Sequence, residues 1–111
     1  MDAQEQRRLL ELAAKAANVD FYTPEGMDEP WCGSGFYLRG CVVWNPLADD
    51  GDALRLAIDL ELDVSLGKNG AVVEFGRLQI EELDASDPYA AGRRAIVRAA
   101  AAIGGKMETK P

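Results

Sequence analysis

Apolar positions recur at helical spacing through the first part of the chain. The repeating positions are Leu9, Leu12 or Ala13, Ala16 and Val19. Their spacing of three or four residues puts them on one face of a helix. Asp2 with Glu5 three residues later is typical of a capping box, and Asn18 is typical of a left-handed terminator. The pattern therefore predicts a first helix over residues 3 to 17.

The next segment changes character twice. Residues 20 to 30 hold two prolines, a glycine and four acids, which predicts an irregular connection, with Phe21 and Tyr22 as a short strand inside it. Residues 36 to 44 are rich in aromatic and β-branched side chains. This run predicts one strand, which Gly40 interrupts with a bulge.

Residues 54 to 66 fit two periods at once. Apolar and polar side chains alternate almost strictly, as in a single long strand. The same residues also satisfy helical spacing, and Asp50 and Asp52 are good N-cap candidates. Periodicity alone leaves both interpretations open. We favour a helix over about 51 to 61, followed by a strand.

The second half of the chain has clearer punctuation. Lys68, Asn69 and Gly70 separate two apolar runs at 63 to 66 and 71 to 75, which predicts a hairpin. Residues 78 to 83 predict a further edge strand. Asp87 followed by Pro88 marks the start of a last helix running to about Ile103, where Gly104 and Gly105 are expected to stop it. The face predicted to meet the core is Tyr89, Gly92, Ile96, Ala99 or Ala100, and Ile103. The alanine run at 99 to 102 favours close approach by a neighbouring backbone.

These elements predict an α+β fold in which a small antiparallel sheet packs against two or three helices. The 111 residues suit a single domain over 1 to 111. The chain has no run long enough to span a membrane, and its first residues lack the pattern of a secretory leader. A cytoplasmic protein with reduced Cys32 and Cys41 is the corresponding expectation.

Charge argues against one class of partner. Nineteen acidic and twelve basic residues give a formal net charge of −7, which disfavours direct binding to nucleic acid. The charge is also uneven: residues 49 to 63 carry six carboxylates against Arg55 alone, and the basic residues near the C-terminus are Arg93, Arg94, Arg98, Lys106 and Lys110. The two blocks are able to meet within one molecule or between two.

Two motifs carry a resemblance to a known family. The block from Trp44 to Ala57, WNPLADDGDALRLA, is similar to the tryptophan, proline and acidic loop that lead into a helix in the phage ABA sandwich domain. The sequence Ala-Ile-Val-Arg-Ala-Ala at 95 to 100 resembles that family's C-terminal helix. The resemblance implies an α/β/α sandwich and a phage or prophage origin, and it brings no functional residue with it.

Candidate chemistry is sparse. The chain has no histidine, which removes the usual general base and the commonest zinc ligand, so Ser34 in its glycine-rich turn is not expected to be a nucleophile. Nothing in the sequence indicates a cofactor. Asp49, Asp50 and Asp52 are candidate ligands for a hard cation, although capping and the positive end of the helix dipole already explain carboxylates at a helix N-terminus.

An aromatic stretch is the candidate binding surface. It comprises Trp31, Phe36, Tyr37 and Trp44. Tryptophan and tyrosine anchor many interfaces, although such residues more often belong to a core. The leading hypothesis is a noncatalytic phage accessory protein that binds another protein, with homodimerisation also considered. The alternatives are a small-molecule or metal-binding protein or enzyme using the acidic loop with Arg98 as an anion anchor, and an acidic decoy that imitates DNA.

Overall fold

The computed structural model describes the backbone of residues 1 to 109, and over that range the chain forms three helices and two antiparallel sheets. In chain order the elements are α1 (Ala3–Ala17), β1 (Phe36–Leu38), β2 (Val42–Trp44), α2 (Asp50–Asp59), β3 (Asp63–Gly67), β4 (Gly70–Phe75), β5 (Leu78–Leu83) and α3 (Pro88–Thr109). The predicted α+β class is confirmed.

Helix α1 begins and ends as its sequence predicts. The Asp2 carboxylate accepts a hydrogen bond from the Glu5 amide at 2.8 Å, which satisfies a free donor of the first turn. Asn18 ends the helix with a φ of 58°, the left-handed conformation that asparagine tolerates. The buried side of α1, carrying Leu10 and Ala13, packs against α3.

Helix α3 is longer than predicted. The expectation that Gly104 and Gly105 end it is wrong, because the helix continues through both to Thr109. A Cβ atom on Gly104 would collide with the backbone carbonyl of Leu12 in α1. Gly104 therefore allows the two helices to approach closely. Ala99 and Ala100 of the alanine run are fully buried.

The predicted strand over 36 to 44 is a hairpin instead. Strands β1 and β2 pair with Phe36 opposite Trp44, and the chain reverses through Gly40 and Cys41, whose φ values are 83° and 58°. Two successive residues with positive φ fold the chain back on itself, whereas a bulge would only have bent it. The short strand predicted at Phe21 and Tyr22 is also wrong, although the Tyr22 amide donates to the Tyr37 carbonyl at 2.7 Å.

The second sheet has the order β3-β4-β5. Residues 50 to 59 are helical, which confirms the helix favoured for that segment, and β3 follows as predicted. The hairpin at Asn69 and the edge strand β5 are confirmed too. Val73, on the face toward α3, is fully buried, whereas Asp63 and Glu74 on the opposite face are exposed. Helical packing is thus found on one side of this sheet.

Candidate functional site

The predicted aromatic surface is largely internal. Phe36 and Trp44 keep only 2% and 6% of their surface, and Phe21 stacks flat on Phe36 with ring centroids 3.9 Å apart. Trp31 is half-buried against the same ring at 4.9 Å, with the Arg7 guanidinium 5.7 Å from the Trp31 centroid. Tyr37 is half-buried as well. The structure therefore gathers three of the four predicted binding residues into a core cluster.

The predicted metal ligands Asp49, Asp50 and Asp52 are each engaged by other groups of the protein. Asp49 caps α2 by accepting the Asp52 amide at 2.7 Å. Asp52, 8% exposed, accepts the Asn45 amide at 2.9 Å and pairs with Arg55 at 2.7 Å. Asp50 pairs with Arg93 at 2.7 Å. Among the described residues no group of three or more metal-ligating side chains has an arrangement that could hold an ion. Capping and ion pairing thus account for this acidic loop.

The Arg93–Asp50 contact also answers the question raised by the uneven charge. It shows the basic and acidic blocks meeting within one molecule at this point. Arg93 is further fixed by donating from Nε to the Leu47 carbonyl at 2.9 Å. Lys110, the last of the basic block, lies outside the described residues.

The remaining arginines of α3 bind the sheet. Arg94 and Arg98 both contact the Glu82 carboxylate, at 3.1 Å and 3.2 Å, beside a shallow polar cavity of 550 Å³. The Ser86 hydroxyl, and after it the Asp87 amide, hold the pKa of the neighbouring Asp84 below its usual range. Arg98 is thus already paired with a carboxylate, which leaves it poorly suited as an anchor for an anion.

A larger concave surface lies where α2, β3 and α3 meet. Its volume is 740 Å³, and we call it the α2–α3 groove. The apolar residues that line it include Leu54, Ala57, Val64, Leu66, Tyr89 and Ile96. The Asp50–Arg93 ion pair and Lys68 also contribute to its wall. A cavity of this size, lined mainly by apolar side chains, has the character of a binding site.

Several apolar side chains of the groove are unusually exposed. Leu54, Leu66 and Tyr89 keep 60%, 71% and 73% of their surface. Ile58, one turn after Leu54, is 63% exposed, so α2 carries a second apolar face besides the one that buries Ala53 and Leu56. A single exposed leucine is ordinary, but a contiguous set around a concavity indicates an interaction surface.

Sequence reasoning missed this surface. Tyr89 was predicted to face the core because it shares the period of Ile96, but at the start of α3 it lies mainly in solvent. The signal that pointed to the groove was the dense alternation from Leu54 to Leu66. It supplies more apolar side chains than one short helix and one edge strand are able to bury.

No helix among the described residues is long and apolar enough to cross a membrane. Cys32 and Cys41 are both free thiols, and Cys32 Sγ lies 3.3 Å from the Gly35 carbonyl oxygen.

In comparisons with known proteins, no protein family, no curated protein and no solved structure matches the chain.

Proposed function

We propose that this protein is a noncatalytic protein-binding module and that its binding surface is the α2–α3 groove. The observation that supports the proposal is the cluster of exposed apolar side chains around the groove, above all Leu66 and Tyr89. Apolar area left in solvent carries a free-energy cost that a partner would remove by covering it. The polar rim, with the Asp50–Arg93 pair and Lys68, would give such an interface its orientation.

The phage or prophage origin and the cytoplasmic location belong to the same proposal. The first is supported by the two motifs around Trp44 and Ala95 alone, and the second is consistent with the two free thiols. The small-molecule or metal-binding alternative has less support, because Asp49, Asp50 and Asp52 are each engaged within the chain. The decoy alternative is supported only by exposed carboxylates on the outer face of the sheet.

Affinity purification with matched variants tests the proposed function. Leu66→Asp puts a charge into the groove, and Leu83→Asp is its control, because Leu83 lies on β5 with the same exposure, 70% against 71%. We expect a partner captured from phage-bearing host cells by the wild-type protein to be retained by Leu83→Asp and lost by Leu66→Asp. Thermal unfolding of both variants, measured alongside, should match the wild type.

Equal capture by both variants would contradict this assignment of the surface. Failure of the wild-type protein to capture any specific partner, together with a monomeric state in solution, would contradict the protein-binding function itself.

A further inference from the structure

Strand β3 has a free edge, and its register identifies the backbone groups that face outward. Gly67 and Gly70 close a two-residue hairpin and exchange backbone hydrogen bonds, so Ser65 and Asp63 also bond to β4. Val64 and Leu66 alternate with them, and their amide and carbonyl groups therefore point away from β4. No backbone partner for these groups is found within residues 1 to 109.

The residues with free backbone groups also line the groove. Val64 and Leu66 lie on the face of β3 that turns toward the helices. Helix α2 packs chiefly on α3 and leaves a gap beside β3, which is the groove itself. A strand added next to β3 would hydrogen bond to Val64 and Leu66, and every second side chain of that strand would enter the gap.

The start of β3 is strongly acidic and uncompensated. Asp59, Glu61 and Asp63 are exposed, and none has a hydrogen-bonded or ion-paired side-chain partner among the described residues. The last turn of α2 contains no basic residue, although the C-terminal end of a helix favours positive charge. Glu61 also adopts a φ of 55°. A basic side chain from a partner would relieve this concentration of negative charge.

This charge argues for one kind of occupant over another. A second copy of the chain would bring a net charge of −7 and an identical acidic patch, so the two copies would repel each other. Lys68 is the one lysine that lines the groove and would attract that negative charge. A basic peptide meets no such repulsion. The other free edge, on β5, is less suited because its outward positions include Gln79 and Glu81 and no apolar groove adjoins it among the described cavities.

We propose that the α2–α3 groove binds an extended peptide segment of a partner, which adds to β3 as a fourth strand. The peptide carries apolar side chains at alternate positions, directed into the groove, and a basic residue near Asp63. This inference rests on the proposed protein-binding function and specifies the chemistry of the partner. Backbone hydrogen bonds supply affinity, while the groove and the acidic patch supply selectivity.

The probe is a random library of short linear peptides displayed on a carrier and selected on the immobilised wild-type protein, with Leu66→Asp used for counter-selection. We expect the enriched sequences to alternate apolar and polar residues and to contain lysine or arginine toward one end. The selected peptide should bind Leu83→Asp as it binds the wild type. It should bind a Glu61→Gln, Asp63→Asn double variant more weakly, and the difference should shrink at high salt.

Backbone methylation of the selected peptide then distinguishes a strand from a helix. Methylating the amides that face β3 should weaken binding about tenfold per amide, since each change removes a hydrogen bond and adds a clash. Methylating the alternate amides should leave the affinity nearly unchanged. The protein itself is unaltered in this comparison, so misfolding cannot produce the pattern.

Three results would overturn the inference. The first is a selected peptide whose binding is lost on methylation at every interior position, because that is the behaviour of a helix and leaves the protein-binding function intact. The second is an absence of any peptide that requires Leu66. The third is a homodimer in analytical ultracentrifugation that Leu66→Asp dissociates, since a second copy would then occupy the edge.

Discussion

The two ends of helix α3 lie in contrasting environments. Its C-terminal half contains fully buried alanines such as Ala99, and α3 packs on α1 with Gly104 against the α1 backbone. Its N-terminal half borders the α2–α3 groove and leaves Tyr89 mostly in solvent. One continuous helix thus joins a closed region to an open one. The difference separates the part of the helix that stabilises the fold from the part that borders the proposed binding surface.

Residue type alone is a poor guide to that division. Aromatic side chains are frequent at interfaces, yet here Phe21 packs on Phe36 and Trp44. This cluster belongs to the same hydrophobic core as the buried residues of α1 and α3, so we include it in the closed region. The open region is built mainly from leucines, which in sequence are indistinguishable from core leucines. What distinguishes Leu54 and Leu66 is that the folded chain leaves 60% and 71% of their surface exposed.

The largest expected effect is the loss of an aromatic ring from the closed region. Phe36→Ala should lower the free energy of unfolding by about 3–5 kcal/mol, because Phe36 is 2% exposed and contacts both Phe21 and Trp31. The matched change in the open region, Leu66→Ala, should alter it by less than about 0.5 kcal/mol. Urea denaturation followed by circular dichroism measures both values.

The same two variants would also show whether the contrast between the closed and open regions is wrong. If Leu66→Ala destabilised the chain as much as Phe36→Ala does, Leu66 would be a core residue. That result would contradict the proposal that the groove is a binding surface. A small effect of Phe36→Ala would instead indicate that the aromatic cluster is dispensable for folding.

A smaller effect is expected from a methyl group at the helix contact. Gly104→Ala should destabilise the chain by about 1–3 kcal/mol, since its Cβ would collide with the Leu12 carbonyl and force α1 and α3 apart. Gly105→Ala is the control, because a Cβ there meets nothing within 4 Å. It should stabilise the helix by about 0.5–1 kcal/mol, through the higher helix propensity of alanine. If α3 is packed as described, thermal unfolding should show a lower melting temperature for Gly104→Ala and a higher one for Gly105→Ala than for the wild type.

The glycine pair also shows what the sequence was able to predict. The starts of α1 and α3 were predictable, since Asp2 and Asp87 satisfy free amides by local contacts that a sequence makes visible. At α2 the choice of Asp50 or Asp52 as the N-cap was wrong, because Asp49 caps the helix by accepting the Asp52 amide. The end of α3 was not predictable from the sequence. A glycine is needed at position 104 because the Leu12 carbonyl, distant in sequence, lies where a Cβ atom would be. The local rule for a glycine stop is valid, but a contact with another helix outweighs it here.

The candidate site failed to emerge for a related reason. Exposure of Leu66 follows from the position of β3 at the edge of its sheet, and sheet order is a property of the whole chain. The alternating pattern around Leu66 correctly predicted a strand. Its excess of apolar side chains indicated that some of them would remain exposed, but it did not specify which ones α2 would cover and which would border a groove.

The smallest expected effect concerns an ion pair of the closed region. In the open region, by contrast, Asp63 has no ion-paired partner among the described residues. The Arg8 guanidinium donates to the Glu108 carboxylate at 2.6 Å and holds the pKa of that carboxyl below its ordinary value. Between the two pKa values the folded chain binds fewer protons than the unfolded chain. The contact therefore stabilises the folded state fully at a pH above the ordinary glutamate pKa of about 4.3. Its contribution is lost as the pH falls through the lower, folded-state pKa.

Glu108→Gln removes this titration, so the free energy of unfolding of the variant should fall less steeply than that of the wild type as the pH drops below about 4.3. Urea unfolding across this range measures the slope, and repeating it at about 1 M salt should narrow the difference because the pair is solvent-exposed. An identical slope in both proteins would show that the α1–α3 contact depends on packing alone. The closed region would then differ from the open one in its apolar burial and not in its electrostatics.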